Sequence, residues 1–316
     1  MNRQPVKLLP AFKDYLWGGT KLKTSYNKKT DLDIVAESWE LSTHKDGQST
    51  VCGGDFDGLT LTDYIEKNGS GVLGKNAEKF DRFPILIKFI DASGNLSIQV
   101  HPNDEYALRV EGEYGKTEMW YILECDNNAY LYYGVNREIT REELRERIEN
   151  NTLLEVLNKV PVHKGDVFFI PAGTIHAICS GIVICEIQQN SNTTYRVYDY
   201  DRRDKNGNPR ELHIDKAIEV SRLTPSPAVP KPDESAADAV LASCDKFTAR
   251  RLNVTAPMSV DITEDCFNSL IITEGSGTLE MNGQIMNLEK GDSIFIPAQN
   301  GSYTLNGNCC VILSYV

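Results

Sequence analysis

The sequence predicts a mainly β protein built from two related antiparallel modules. Short runs rich in Val, Ile, Phe and Tyr alternate with Gly, Asn, Asp and Pro, which is typical of antiparallel sandwiches and barrels. One strand–turn–strand phrase occurs twice, at residues 164–178 and 290–304. Only one stretch, residues 137–160, has a clear helical pattern. A chain of 316 residues is long enough for two domains.

The predicted strands of the first module follow one another closely. They are FPILIKFIDA (83–92), LSIQVHP (96–102), EMWYILEC (118–125), NAYLYYGV (128–135), GDVFFIPAG (165–173) and GIVICEIQQ (181–189). Residues 137–160 interrupt this series with Leu and Ile near helical spacing. Thr140 is a possible N-cap, with Glu143 three residues later. We therefore expect a helical insert over about 137–160.

The repeated phrase differs between its two copies at one chemically important position. Aligned from the lysine, KGDVFFIPAGTIH and KGDSIFIPAQNGS share seven of thirteen residues. The thirteenth is His176 in the first copy and Ser302 in the second. Upstream, YILEC aligns with IITEG, which places Asn268 opposite Glu118. The two alignments differ in offset by 24 residues, about the length of the helical insert. A metal site is therefore expected in the first module only.

Composition and net charge predict the domain boundaries and argue against some classes of partner. Residues 224–239 are rich in Pro, Ala, Ser and acidic residues, so we expect a linker between a catalytic, metal-binding domain (1–223) and a C-terminal domain without metal ligands (240–316). Residues 199–208 are expected to form a solvated loop with an Asn-Gly turn. The net charge of −12 argues against nucleic acid. Without a signal peptide or an apolar run of membrane length, the expected location is cytoplasmic.

Four residues could assemble a mononuclear metal site. Gln99 and His101 are two apart on a predicted strand, so their side chains leave the same face. Glu118 begins the next predicted strand, and His176 follows the repeated phrase. Two imidazoles, a carboxylate and an amide oxygen suit a catalytic zinc or a similar divalent ion.

The surroundings of His176 resemble a known signature. Residues 165–176 match G-x5-P-x-G-x2-H, the second signature of the cupin superfamily, which implies two jelly-roll β-barrel modules. The first cupin signature has HxH with a glutamate a few residues later. Here Gln99 replaces the first histidine, and the glutamate follows His101 by seventeen residues.

These departures point to one family within the cupins. The chain resembles the type I mannose-6-phosphate isomerases, in particular the short bacterial form. The matching stretches are LWGGTKL (16–22), AESWELS (36–42), FPILIKFIDASGNLSIQVHPNDEYA (83–107), GKTEMWYILE (115–124), GDVFFIPAGTIHAI (165–178) and NTTYRVYDYDR (192–202).

The resemblance implies an activity and a set of site residues. It implies interconversion of mannose 6-phosphate and fructose 6-phosphate through an enediol, with one Zn²⁺ per chain. The implied zinc ligands are Gln99, His101, Glu118 and His176. The other implied site residues are Arg196 as the active-site arginine, Glu186 as an active-site glutamate, and Ser97, Lys116 and Lys88 at the sugar phosphate. Lysine charges could bind the phosphate dianion, and Glu186 could move the proton.

Two other functions remain open at this point. An iron cupin oxygenase would use a similar barrel, but Gln99 and the late Glu118 depart from its pattern. A sugar-phosphate-binding regulator without catalysis would need only part of the residue set. The expected partner is a small hexose 6-phosphate, with no membrane, and the chain is expected to be a monomer or a weak homodimer.

Overall fold

Antiparallel strands dominate the computed structural model, which describes residues 3–203, 207–227 and 231–316. The predicted mainly β class is confirmed. The strands are β1 (Val6–Leu9), β2 (Ala11–Lys13), β3 (Glu37–Leu41), β4 (Thr50–Cys52), β5 (Ile85–Ala92), β6 (Ile98–Val100), β7 (Glu118–Cys125), β8 (Tyr130–Val135), β9 (Leu157–Pro161), β10 (Val167–Ile170), β11 (His176–Ile178), β12 (Ile182–Gln189), β13 (Tyr195–Tyr198), β14 (Asp238–Ser243), β15 (Thr248–Val254), β16 (Met258–Ile262), β17 (Asn268–Met281), β18 (Gln284–Glu289), β19 (Ser293–Ile296) and β20 (Gly301–Tyr315).

Short helices connect these strands. The α-helices are α1 (Lys21–Ser25), α2 (Leu61–Asn68), α3 (Asp104–Val110), α4 (Arg141–Glu149) and α5 (Ile214–Val220), and the 3₁₀ helices are Gly54–Phe56, Ser70–Val72, Lys75–Lys79 and Leu153–Val156. In the described part of the chain, none of the helices has the length and apolar character needed to cross a membrane.

The helical insert is shorter than predicted. Thr140 caps α4 by accepting a hydrogen bond from the Glu143 amide, as the sequence indicates. The helix ends at Glu149 because Asn151 adopts a left-handed conformation with φ 55°. A 3₁₀ turn follows, and β9 then pairs with β8. The prediction of one helix through residue 160 is therefore wrong: the α-helix ends at Glu149, and Leu157 and Val160 pair with β8 as strand residues.

The first module is a sandwich of two sheets. One sheet has the order β10-β7-β12-β5-β3-β2, and the other has the order β13-β6-β11-β8-β9. Apolar side chains from both sheets fill the space between them, among them Ile90, Trp120, Ile184, Leu131 and Ile178. Alternation along each strand points the intervening residues to the opposite face. The far face of the five-stranded sheet packs with α4 and α5 through a separate cluster.

The second module packs against the far face of the six-stranded sheet. Its sheet runs β14-β15-β20-β17-β19-β1-β4, with β16 paired to β20 and β18 to β17. Phe89 and Tyr121 from the first module share one apolar cluster with Ile271 and Ile312 from the second. The N-terminal strands β1 and β4 belong to this sheet. The predicted division at residues 223 and 240 stays a prediction, because β1 and β4 lie in the sheet of the second module while β2 and β3 lie in that of the first.

The interior of the second module contains no counterpart of the predicted metal site. Asn268, which aligns with Glu118, is buried and donates a hydrogen bond to the Tyr303 hydroxyl over 3.1 Å. Apolar residues such as Leu270, Ile272 and Leu305 fill the rest of this interior. Packing therefore replaces metal-ligand chemistry in the second copy of the repeat.

Candidate metal centre and active-site cavity

Three of the four predicted metal ligands converge at one end of the sandwich. His101 follows β6, Glu118 begins β7 and His176 begins β11, and all three are buried. Among the described residues, their donor atoms form one group in which every pair lies within 4.8 Å. Glu118 Oε1 lies 3.1 Å from His176 Nε2, and Glu118 Oε2 lies 3.7 Å from His101 Nε2. The predicted convergence is confirmed.

Backbone carbonyls orient both imidazoles. His101 Nδ1 lies 2.9 Å from the Thr193 carbonyl oxygen, and His176 Nδ1 lies 2.8 Å from the Thr174 carbonyl oxygen. A carbonyl oxygen only accepts hydrogen bonds, so each Nδ1 must carry the proton. Each Nε2 then carries the lone pair of its ring; that of His176 lies beside Glu118, and that of His101 lies 3.3 Å from Lys116 Nζ. This is the arrangement in which protein histidines bind metal ions.

The Glu118 carboxylate fits a cation. Both of its oxygens are buried and accept no hydrogen bond; Lys116 Nζ lies 2.7 Å from Oε2 but not in hydrogen-bonding geometry. Burial alone would raise the pKa of Glu118, but the charges of Lys116, His101 and His176 outweigh burial and hold this pKa well below its usual range. A buried, ionised carboxylate with free lone pairs between two imidazole nitrogens suits a divalent metal.

Gln99 lies at the edge of this group. It pairs in register with His176 on one side and with Arg196 on the other. Its Nε2 atom lies 3.5 Å from His176 Nε2. The oxygen and nitrogen of a side-chain amide have nearly the same shape, and their assignment depends on the neighbouring partners. Exchanging them presents an oxygen to the metal group, so Gln99 stays a predicted ligand.

A row of ion pairs, in which lysines alternate with glutamates, extends from Glu118. Lys116 Nζ lies 3.3 Å from Glu186 Oε1, and Lys88 Nζ lies 3.2 Å from the same oxygen. Lys88 also lies 3.5 Å from Glu37 Oε2. All five residues are buried. Burial alone would lower the pKa of Lys88, but the carboxylates of Glu186, Glu37 and Glu118 outweigh it and raise this pKa. Lys88 is therefore a protonated, enclosed side chain.

Two tryptophans orient the carboxylates of Glu186 and Glu37. Trp120 Nε1 donates to Glu186 Oε2 over 2.8 Å, and Trp39 Nε1 donates to Glu37 Oε2 over 2.7 Å. Because an indole N–H is a single, directed donor, it fixes one oxygen and leaves the other free. Glu186 Oε1 accepts no hydrogen bond. It is thus an oriented carboxylate with one available oxygen.

These side chains line a cavity of about 290 Å³. Every predicted substrate or acid–base residue contributes to its wall: Ser97, Lys116, Lys88, Glu186 and Arg196, together with Gln99. Arg196 lies on β13, donates from Nε to Ser97 Oγ over 3.3 Å and donates from its NH1 atom to the Glu211 carbonyl over 2.9 Å. Burial and the nearby Arg210 lower the pKa of Arg196. The sandwich thus brings the predicted residues to one cavity.

The cavity also contains residues that the sequence did not indicate. Glu37 lies in AESWELS, a matching stretch in which no role was assigned, and Tyr15 precedes it. Arg210 follows the Asn-Gly turn and had no motif to mark it. Residues 204–206 of the predicted solvated loop lie outside the described residues.

The solvated-loop prediction is wrong for Asp199. Its side chain is only 6% exposed. Arg210 donates to it from Nε over 2.7 Å and from its NH2 atom over 2.5 Å, and Arg202 donates from its NH2 atom over 2.5 Å. Burial alone would raise the pKa of Asp199, but the two arginines outweigh it and lower this pKa. Two guanidinium groups stabilise the buried Asp199 carboxylate. The composition of the segment had predicted a solvated side chain.

The fold and the site first define a class. Residues 238–316 match the model of the mannose-6-phosphate isomerase cupin domain, so the protein is a two-module cupin with a buried His–Glu–His group beside a charged cavity. Residues 6–152 match the model of the phosphomannose isomerase type I catalytic domain. Mannose-6-phosphate isomerase ManA of Bacillus subtilis is 38% identical over 324 residues, covering 100% of both chains. The chain belongs to the type I phosphomannose isomerase family.

Solved structures agree with this assignment. The crystal structure of the mannose 6-phosphate isomerase from Bacillus subtilis superposes with a TM-score of 0.91 at 35% identity, covering 99% of this chain and 100% of that chain. A zinc-bound mannose 6-phosphate isomerase superposes with a TM-score of 0.80 at 21% identity over 99% of both chains. The latter likeness shows a shared fold.

Proposed function

We propose that this protein is a zinc-dependent isomerase that interconverts mannose 6-phosphate and fructose 6-phosphate through an enediol. The observation that carries the proposal is the buried group of His101, Glu118 and His176 beside a cavity lined by Glu186 and Arg196. Relatives of the same length and family carry the name mannose-6-phosphate isomerase. The site and the family thus support one activity.

His101, Glu118 and His176 would hold the zinc, with Gln99 as the fourth protein ligand. Two neutral imidazoles, one carboxylate and one amide oxygen leave a bound Zn²⁺ with net positive charge. When bound, such an ion acts as a Lewis acid that polarises the oxygens on C1 and C2 of the open-chain sugar. The carbonyl partners of the two histidines support this role, because they fix the ring orientation.

Glu186 is the candidate base of the reaction. Its Oε1 atom has no hydrogen-bond partner, while Trp120 holds Oε2. In the forward direction, Glu186 would take the proton from C2 of the open-chain aldose, and the enediol would form. The same carboxyl group would return the proton to C1, with net transfer of a hydroxyl proton from O2 to O1. A positioned acid–base group contributes about 10²- to 10⁴-fold to such a step.

Lys88 and Lys116 would position the Glu186 carboxylate. They lie 3.2 Å and 3.3 Å from its Oε1 atom. Their direct contact with substrate stays a prediction.

Arg196 and Ser97 would orient the substrate from the opposite sheet. The guanidinium group donates to the Ser97 hydroxyl oxygen, which leaves the hydroxyl hydrogen available for a sugar or phosphate oxygen. Because the arginine is always protonated, it can bind an anionic oxygen in every step of the cycle.

A coupled assay for fructose 6-phosphate formed from mannose 6-phosphate, with and without chelator, tests the proposal. Turnover that is lost with chelator and restored by zinc supports it. Tight phosphosugar binding without exchange of the C2 hydrogen would identify a non-catalytic regulator instead. Oxygen consumption with bound iron would identify an oxygenase. The complete set of base, arginine and metal ligands favours the isomerase.

A further inference from the structure

The charges around the cavity divide it into two ends. At the metal end, the three carboxylates Glu37, Glu118 and Glu186 surround the two ammonium groups of Lys88 and Lys116, with all their contacts between 2.7 and 3.5 Å. The formal charge of these five groups is −1. The lysine charges are therefore already compensated by carboxylates.

The other end carries a surplus of positive charge. We call it the arginine cluster, and it consists of Arg196, Arg202 and Arg210 together with the carboxylate of Asp199. Arg196 and Arg210 line the cavity. The neighbouring Glu211 carboxylate is 83% exposed and lies 4.0 Å from His213. The formal charge of the cluster is +2, in a chain whose net charge is −12. Such a local surplus in an acidic protein indicates an anion-binding position.

Two donor atoms of the cluster have no hydrogen-bond partner among the described residues. Arg210 uses its Nε and NH2 atoms on Asp199, and Arg196 uses its Nε and NH1 atoms on Ser97 and the Glu211 carbonyl. Among the described residues, no hydrogen bond is formed by the NH1 atom of Arg210 or by the NH2 atom of Arg196. Guanidinium groups bind phosphate oxygens with short, charge-assisted hydrogen bonds. Asp199 holds Arg210 in place before any ligand binds, which lowers the entropy cost of binding.

We propose that Arg210, positioned by Asp199, binds the phosphate of the substrate together with Arg196. This rests on the proposed function, because it specifies which end of the cavity receives the phosphate. A phosphate monoester carries a charge of about −1.5 to −2 at pH 7, which matches the cluster. The phosphate then lies at the arginine end, and C1 and C2 lie at the metal end beside Glu186. In this arrangement Lys88 and Lys116 act on Glu186 and not on the phosphate.

Substitution of Arg210 in the zinc-loaded full chain tests the proposal. Arg210→Met should raise KM for mannose 6-phosphate about tenfold or more, since a charge-assisted hydrogen bond is lost, and kcat should change by a smaller factor. Its Kd for inorganic phosphate, measured by calorimetry, should rise by a similar factor. Arg210→Lys should show an intermediate loss of phosphate affinity, because it keeps the charge without the two-point contact. Arg250→Met is the matched control, since Arg250 also binds one aspartate, Asp238, through Nε and NH2.

The Asp199→Asn variant distinguishes the positioning of Arg210 by Asp199 from the effect of Asp199 on the net charge of the arginine cluster. If Asp199 positions Arg210, the variant should bind inorganic phosphate several-fold more weakly, although the cluster gains positive charge. Tighter phosphate binding by a folded Asp199→Asn would overturn the positioning role. If Asp199→Asn does not fold, Arg210→Lys tests whether the positioned guanidinium group binds phosphate. A phosphate Kd of Arg210→Lys equal to that of the wild type would overturn the proposal.

The proposal and the proposed function fail in different ways. A wild-type protein without isomerase activity contradicts the function. An active wild type whose Arg210→Met variant keeps both the KM and the phosphate Kd contradicts this inference alone.

Discussion

Lys88 Nζ lies 3.2 Å from Glu186 Oε1, and the two residues face each other in register on neighbouring strands. The register places a protonated lysine and a carboxylate on the same inner face of the sheet. Because both are buried, removal of one charge weakens the compensation of the other, which keeps only Glu37 beside Lys88 or Lys116 beside Glu186. The pairing of β5 with β12 therefore fixes the position of Glu186, the candidate base.

Replacement of the candidate base should abolish most turnover. Glu186→Gln keeps an acceptor for the Trp120 indole but removes the proton-accepting carboxylate. We expect kcat to fall about 100-fold or more, in line with the usual contribution of a general base. The coupled isomerase assay and exchange of the C2 hydrogen measure the effect. Glu280→Gln, on an exposed position of β17, is the control. A kcat within threefold of wild type would remove Glu186 from the mechanism.

Loss of one imidazole should release the metal. His176→Ala should lower bound zinc well below one per chain and reduce activity about 100-fold or more, because second-shell changes alone cost 10- to 100-fold. Elemental analysis of dialysed protein and the isomerase assay give the two readouts. His163→Ala is the control, since His163 is 72% exposed and lies outside the cavity. Full zinc with full activity in His176→Ala would show that the ligand assignment is wrong.

Metal removal should show that only the first module binds zinc. Asn268 and its apolar surroundings offer no ligand set in the second module. We expect one zinc per chain, loss of turnover with chelator, and recovery at one equivalent of added zinc. Titration followed by activity and elemental analysis measures this. A second tightly bound equivalent would mean that the second module also holds a metal.

Two Lys–Glu pairs join the modules in a reciprocal pattern. Lys164 of the first KGD phrase contacts Glu274, and Lys290 of the second lies 3.4 Å from Glu124. Glu124 also accepts a hydrogen bond from the Tyr26 hydroxyl. We therefore expect Glu124→Lys to destabilise the protein by about 1 kcal/mol or more, and Glu274→Lys by less, since exposed pairs contribute little. Denaturant unfolding measures both, and equal losses would contradict the expected difference.

The acid dependence of stability should report on Asp199. Its pKa is lowered in the folded protein, while that of an unfolded aspartate is about 3.9. The folded state thus binds fewer protons, and the stabilisation is present above the unfolded pKa and lost as pH falls through the folded one. Asp199→Asn should have a lower Tm than wild type at pH 7, by about 2 °C or more.

The difference between the two proteins should narrow as the pH falls below about 3.9, because the unfolded wild-type aspartate then binds a proton that the folded one still resists. Melting curves from pH 7 to pH 3 test this, with the exposed Asp261→Asn as control. A difference that stays constant over this range would show that the ion pairs of Asp199 do not stabilise the fold.

Local patterns predicted the strands and the grouping of His101, Glu118 and His176. The runs that contain β5, β7 and β12 are mostly apolar, and each forms a largely buried strand. The candidate site could be predicted because each of its residues lies at the end of a recognisable strand. The spacing of Gln99 and His101 and the repeated phrase before His176 marked those strand ends. The extent of the helix after Glu149 was not predictable from periodicity, since Leu153 and Leu157 suit either a helix or a strand.

The β class, the repeated phrase and the residues able to bind a metal could be read from the sequence, because they depend on short-range patterns. Two features could not: β1 and β4 complete the sheet of the second module, and Asp199 is buried and holds Arg210 in place. Both depend on which distant segments pack together. Burial and ion pairing are properties of that packing, and no local pattern around Arg210 or Asp199 records them.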